Sequence, residues 1–186
     1  HDRKCSVSTI IVEDKHGKLY LVSTPIGNLK DITFRAVEIL ESVTLIAAED
    51  TRHSKVLLSH FNITTPLISY FEHNEFSRIP KLMDHLKGGN DLAVITDAGT
   101  PGISDPAYRL VREAIALSIT VESLPGPSAF LAGLTSSGLP TDRFIFEGFL
   151  PPKKGRKKRM LSVENEEATL IYYESPSRLL RTLKQL

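Results

Sequence analysis

The chain has 186 residues, 41% of them hydrophobic, with 23 Lys and Arg against 22 Asp and Glu. This composition allows one or two globular domains with a real core and excludes a disordered, collagen-like or disulfide-stapled protein. Cys5 is the one cysteine, so neither an internal bridge nor a cysteine zinc site is available, a reducing cytoplasmic setting is expected, and no apolar run nears the roughly 20 residues of a membrane span.

The opening His1-Asp2-Arg3-Lys4 reads as a tag remnant or trimmed extension, and residues 1–6 stay outside the fold argument. Residues 1–18 are expected as an N-terminal extension. Its β-branched run from Val7 to Val12 and polar turn from Asp14 to Lys18 suggest a hairpin. Residues 19–138 then alternate short apolar runs with amphipathic ones. Strands are predicted at Leu19–Thr24, Thr44–Ala48, Leu67–Tyr70, Leu92–Thr96 and Ile119–Leu124. Between them lie predicted helices at Ile32–Leu40 with Asp31 as N-cap, Ser54–Phe61, Ser77–Leu86 and Pro106–Leu117. A small-residue helix over Ser128–Ser137 follows the break Pro125-Gly126-Pro127. Steady strand–helix succession predicts an α/β fold, a mostly parallel sheet flanked by helices.

Residues 139–186 read as the beginning of a second α/β domain. Strands are predicted at Phe144–Phe149 and Thr169–Tyr173, with helices over Arg156–Glu164 and from Pro176 onward. Two strands and two helices bury too little apolar surface to stand alone, so this unit is expected to be incomplete. It also carries Lys153, Lys154, Arg156, Lys157, Lys158 and Arg159, six cations in seven residues. Without them the chain holds 17 basic against 22 acidic residues, a net of −5. Such a segment is either a solvated linker or a surface for polyphosphate backbone.

Several familiar sites are missing. There is no Gly-x-Gly-x-x-Gly after the first strand and no Gly-x-x-x-x-Gly-Lys-Ser/Thr, so dinucleotide and P-loop chemistry lose their support. Gly126-Pro127-Ser128-Ala129-Phe130 resembles a nucleophile elbow, but Phe130 stands where the second glycine is required. The six histidines show no paired spacing, and no metal is expected. What remains is five polar or Gly/Pro-rich loops, each at the carboxyl end of a predicted strand, where open α/β sheets bind ligands. They are Thr24–Asn28, Glu49–His53, Phe71–Glu75, Thr96–Pro106 and Pro125–Ser128. Each alone is an ordinary turn; five on one edge point to a site.

Leu21–Leu29, Asp31-Ile32-Thr33, Ala47–Arg52, Asp97–Pro101 with Ile103–Pro106, Glu147–Pro151 and Tyr173–Pro176 together resemble the ribosomal RNA small subunit methyltransferase I family. This is the RNA-acting branch of the tetrapyrrole methylase superfamily. The resemblance covers residues 19–186 and implies S-adenosylmethionine as donor. As acceptor it implies the 2′-hydroxyl of a cytidine in 16S rRNA near the decoding centre. It also implies a two-domain protein with the cofactor between domains, usually a homodimer. Carried over by position, Pro25, Gly27, Asn28, Asp97, Ala98, Gly99, Thr100, Pro101, Ile103, Ser104, Ser128 and Ala129 are the implied cofactor contacts. Thr100 stands where the wider superfamily has Asp. The chain departs from the family in lacking about a third of the usual length and in carrying the extension before the first strand.

A ribose hydroxyl is a poor nucleophile, so a proton acceptor is expected. By residue type and placement the candidates are Glu49, Asp50, Glu72 and His73, with Arg52 positioned to steer phosphate. The competing reading of Glu49–Arg52 is a capped turn with an internal ion pair. RNA contact is expected from Arg52 and from Lys153, Lys154, Arg156, Lys157, Lys158 and Arg159. Two other functions compete: a small-macrocycle methylase of the same fold, which would carry Gly-Asp-Pro at residues 99–101, and a non-catalytic RNA-binding fragment.

Overall fold

The computed structural model describes residues 16–186, so the hairpin expected over residues 7–18 lies largely outside the described residues. At the edge of that stretch, Gly17 donates its N–H to the Leu86 carbonyl at 2.7 Å, and Lys18 donates to Asp91 Oδ1 at 2.7 Å. A side chain at Gly17 would meet the Asn90 carbonyl oxygen at 2.0 Å, so the backbones there touch.

Five strands, β1 (Leu19–Val22), β2 (Leu45–Ala48), β3 (Leu67–Ser69), β4 (Leu92–Ile95) and β5 (Val121–Leu124), form one parallel sheet in the order β3-β2-β4-β1-β5. The intervening helices are α1 (Phe34–Ser42), α2 (Thr51–His60), α3 (Glu75–Lys87) and α4 (Ala107–Ala116). Side-chain alternation divides the core. Leu19, Leu92 and Val94 face α3 and α4, packing with Leu82, Leu86, Leu110 and Ala114. Tyr20, Val22, Ala93 and Ile95 face α1 and α2, packing with Ala36, Leu40 and Leu58. Burying each large aliphatic contributes about 1.5–3 kcal/mol, which is why β1 and β4 read as unbroken apolar runs.

This distribution of helices follows from handedness. From β1 the chain winds outward to β2 and β3, then returns to β4 and β5. Right-handed crossovers must then lie on opposite faces for the two directions. Adjacent β1 and β4 therefore send their outgoing connections to opposite faces, and the crevice between those connections is the ligand position of a doubly wound sheet.

Helix starts differ locally from the sequence reading. Asp31 does not cap α1; it lies in a 3-10 turn over Leu29–Asp31, and Thr33 Oγ1 accepts from the Ala36 N–H at 3.1 Å. The second helix begins at Thr51, not Ser54, because Asp50 caps it. After β5 comes α5 (Ala129–Ser136), then β6 (Phe144–Phe149), α6 (Arg156–Leu161), β7 (Thr169–Tyr173) and α7 (Leu179–Leu183). Strands β6 and β7 pair in parallel, with an irregularity at Phe146–Gly148, and every residue of β7 is only half-buried. An aromatic group of Phe130, Phe146 and Tyr173, with centroids 4.9–5.0 Å apart, joins α5 to this second sheet.

Candidate active site at the carboxyl rim of the sheet

The loops that follow β1, β2, β4 and β5 are tied to one another. Thr24 and Gly99 exchange two backbone hydrogen bonds, both 3.0 Å, as an antiparallel bridge between the β1 and β4 loops. Thr24 Oγ1 donates to the Thr96 carbonyl at 3.0 Å, and Thr96 Oγ1 donates to Glu49 Oε2 at 2.8 Å. The Asp50 N–H donates to Asp97 Oδ1 at 3.2 Å. Thr100 Oγ1 donates to the Pro127 carbonyl at 3.0 Å and lies 3.2 Å from Ser23 Oγ. A Cβ at Gly126 would sit 2.6 Å from Ser23 Cβ, so the β5 loop lies directly on the β1 loop.

These contacts bring the predicted cofactor residues to one edge. Pro25, Gly99 and Pro101 are buried, whereas Gly27, Asn28, Ala98, Ile103, Ser104 and Ala129 are exposed. Gly99 has φ +87°, and a Cβ there would fill the gap between Ile26 Cγ2 (3.4 Å) and the Pro127 carbonyl oxygen (3.6 Å). Asn28 Oδ1 accepts from the Lys30 N–H at 3.1 Å, so its side chain also shapes the first loop. Ser128 stands at the N-terminus of α5 without capping it, and the Phe130 N–H there donates to the Tyr173 hydroxyl at 3.2 Å, a reach from the second sheet to the rim.

Several residues outside the implied cofactor set support the rim. Asp105 accepts from the Gly102 N–H at 2.8 Å and the Ala107 N–H at 2.9 Å, folding the long loop back onto α4. Burial pushes its carboxyl up, against the pull of those N–H groups. Glu75, 3% exposed, pairs with Arg109 Nε at 3.1 Å, and the Tyr70 hydroxyl donates to the Pro106 carbonyl at 2.9 Å. Burial raises the Tyr70 phenol above its ordinary range. Glu49, Glu72, Ser104, Asp105 and Arg109 line a cleft of about 310 Å³ beside the rim, while the His73 ring is exposed and stands edge-on to Phe71.

Asp50 has a structural task. Its Oδ1 accepts from the Arg52 N–H at 2.8 Å as the cap of α2, and its Oδ2 meets Arg52 Nη2 at 2.8 Å. The Arg52 side chain, then its backbone N–H, hold the Asp50 carboxyl at about 2 against an ordinary 3.8. A depressed carboxylate stabilises the fold above its unfolded pKa and loses that contribution as pH falls through its folded one. Asp50→Asn should therefore unfold more readily than the parent at pH 6, with the gap closing between about pH 4 and pH 2. Urea titrations across that range check it; a gap that persists unchanged at pH 2 refutes the assignment.

The cationic segment divides in two. Arg156 is turned inward, 6% exposed, and donates to Thr182 Oγ1 at 2.6 Å and to Gln185 Oε1 at 2.8 Å. Arg159 is paired to Glu147. Lys153, Lys154, Lys157 and Lys158 are exposed and, among the described residues, make no ion pair. The outward charge is thus carried by four lysines. Among the described residues no helix is long and apolar enough to cross a membrane, and no group of three or more His, Cys, Asp or Glu is arranged to hold a metal.

The family described as tetrapyrrole (corrin/porphyrin) methylases matches residues 18–186, and the chain with this doubly wound sheet and glycine-rich rim belongs to it. The fold is shared with uroporphyrin III C-methyltransferase from Thermus thermophilus at a TM-score of 0.62 and 17% identity, over 91% of this chain and 75% of that one. Diphthine synthase gives 0.63 and 15%, over 86% and 66%. Within that class the chain belongs to the ribosomal RNA small subunit methyltransferase I family. It is 54% identical over 171 residues to the Pseudomonas aeruginosa protein of that name, covering 91% of this chain and 61% of that one. With the Thermotoga maritima protein it shares 48% over 170 residues, 91% of this chain and 77% of the other. The chain spans about three-fifths of the length of the Pseudomonas and Synechocystis relatives.

Proposed function

We propose that the whole protein transfers a methyl group from S-adenosylmethionine to the 2′-hydroxyl of a cytidine in 16S rRNA, near the decoding centre of the small ribosomal subunit. The observation that carries this reading is the bridged glycine-rich rim in a chain about half identical to proteins of that name. We further propose that residues 139–186 begin a larger second domain and that the protein acts as a cytoplasmic homodimer, as the family resemblance implies.

The residues present suit such a donor. The positive-φ Gly27 exposes backbone to a ligand, with nothing within 4 Å of a Cβ built on it, and the buried positive-φ Gly99 keeps the space between Ile26 and the Pro127 carbonyl free of a side chain. The Pro25–Asn28 loop, Gly99-Thr100-Pro101, Ser104 and Ser128-Ala129 would hold it. Once bound, the sulfonium supplies a methyl already activated for in-line attack. The protein contributes geometry, which can be worth about 7–11 kcal/mol when nucleophile and electrophile are held in a near-attack arrangement. Among the four candidate bases, Glu49 is the one we favour. Its Oε2 is fixed by Thr96 and it lines the cleft, whereas the Asp50 carboxylate is occupied by its cap and by Arg52. Lys153, Lys154, Lys157 and Lys158 would meet RNA phosphate.

The test is transfer of labelled methyl to small ribosomal subunits by the full-length protein. Label should enter 16S rRNA at a cytidine whose 3′ linkage becomes alkali-resistant, and Glu49→Gln should lower kcat with little change in KM. Replacing the four lysines by Ser should raise KM for subunits and lower the slope of log affinity against log salt by up to about 3, at about 0.7 for each single-strand phosphate that is no longer neutralised. Label appearing only in a free tetrapyrrole would overturn the function. An unchanged salt slope would reduce the lysine segment to a linker.

A further inference from the structure

Helices α3 and α4 both begin at the carboxyl end of the sheet and pack on the same face of it. The second residue of each is an aromatic that the core does not use. Phe76 is 72% exposed and Tyr108 61% exposed. Each ring has a guanidinium against it: Arg109 lies 4.7 Å from the Phe76 centroid and Arg112 lies 6.0 Å from the Tyr108 centroid. With Ile79, Pro80 and Glu113 these four residues line a groove of about 460 Å³. Tyr108 and Arg109 also line the cleft that holds Glu49 and Ser104, so the groove opens onto the rim.

We infer that this groove is a stacking platform for an unpaired base of the RNA substrate, next to the nucleotide that enters the cleft. The inference rests on the proposed RNA methyl transfer and adds to it a site that reads single-stranded RNA without phosphate contact. Two exposed aromatic rings side by side at the mouth of a site mark an interaction surface, one that a flat π partner fits. A nucleobase is such a partner, since every base has a π-face and can stack on a ring's free face or on the guanidinium that lies over the ring. The floor is already fixed: Arg109 is held by buried Glu75 at 3.1 Å, so its guanidinium is oriented before RNA arrives. Arg112 has no ion-pair partner among the described residues. A second copy of the chain is the competing occupant. Continuity with the rim and the guanidinium over each ring favour RNA.

The experiment uses the full-length protein and small ribosomal subunits. Phe76→Ala and Tyr108→Ala change exposed side chains, and Val56→Ala on α2, 68% exposed, is the control. Each aromatic deletion should raise KM for subunits at least about tenfold, and for Phe76→Ala, which lies outside the Glu49 cleft, kcat and S-adenosylmethionine affinity should stay unchanged. The slope of affinity against salt should not move, in contrast to the lysine variants. Tyr108→Phe and Phe76→Trp, which keep a ring, should restore KM. If the parent transfers methyl and both alanine variants keep its KM, the platform is refuted while the function stands. If the alanine variants dissociate in light scattering and KM shifts only with that, the face joins two copies and the inference fails. If the parent transfers no methyl to subunits, the function itself has failed, and a filter-binding assay with single-stranded RNA then judges the groove: equal retention by parent and variants refutes it.

Discussion

Replacing Gly99 by Val in the full-length protein is expected to cut methyl transfer at least about 100-fold, the scale of loss that a misplacement of about 1 Å produces in a positioned site. Gly99 has φ +87°, a region in which a β-branched residue is strained, at a cost of about 1–3 kcal/mol. Strain alone would leave most of the protein folded. The larger effect is on shape. The Cβ would lie 3.4 Å from Ile26 Cγ2 and 3.6 Å from the Pro127 carbonyl oxygen, and the added methyl groups would enter the space between the β1 and β5 loops. The loop cannot step aside without breaking the two hydrogen bonds it shares with Thr24 and the one from Thr100 to Pro127. Gly102→Val separates the two causes. Gly102 has the same φ of +87° but nothing within 4 Å, so it bears the dihedral cost without the intrusion. Calorimetric titration of S-adenosylmethionine should show binding abolished at 99 and largely kept at 102. Equal reductions at both positions would mean that backbone strain, not the cradle, controls the site.

That contrast marks what the sequence makes legible. The loops after β1, β4 and β5 are readable because glycine and proline at strand ends carry a local meaning, and parallel winding brings such ends to one edge. Strand positions follow from apolar runs for the same reason. Cap positions do not, since Asp31 and Thr33 are both good N-cap types and the choice falls to the 3-10 turn that Asn28 starts. At Asp50 the competing sequence reading of the segment, a capped turn with an internal ion pair, describes the observed contacts. Glu75 and Arg109 meet only because α3 and α4 pack side by side, and no local pattern announces that pairing. The aromatic pair at Phe76 and Tyr108 is hidden likewise, because in sequence each is one ring at the start of an amphipathic helix.

Arg156→Leu should destabilise the second sheet by about 3 kcal/mol, the scale for losing buried hydrogen bonds made by a charged donor. Its guanidinium is the one member of the cationic segment that is buried, and it joins three elements. It donates from Nε to Gln185 at 2.8 Å, from Nη2 to Thr182 at 2.6 Å, and from Nη1 to the Pro151 carbonyl at 3.4 Å. Glu174 lies 3.6 Å from Nη1. Bonds from Thr182 and then the Ser175 N–H hold that carboxyl at about 2, so it remains charged at neutral pH when its arginine is gone. Leucine fills much of the volume but leaves Thr182 and Gln185 without their donor. Arg156→Lys should recover little, because an ammonium is a point charge and cannot span three acceptors as a planar fork does. A second consequence follows from α6. The four exposed lysines flank Arg156 on and just before this helix, and their spacing toward RNA depends on its being anchored. Arg156→Leu should therefore weaken subunit binding although no outward charge is removed, whereas Lys157→Leu should weaken binding without changing stability. Urea unfolding followed by tyrosine fluorescence, beside a filter-binding titration across salt, reads both effects. If Arg156→Leu unfolds like the parent and lowers the salt slope as a lysine variant does, Arg156 faces the RNA in solution and the anchoring account fails.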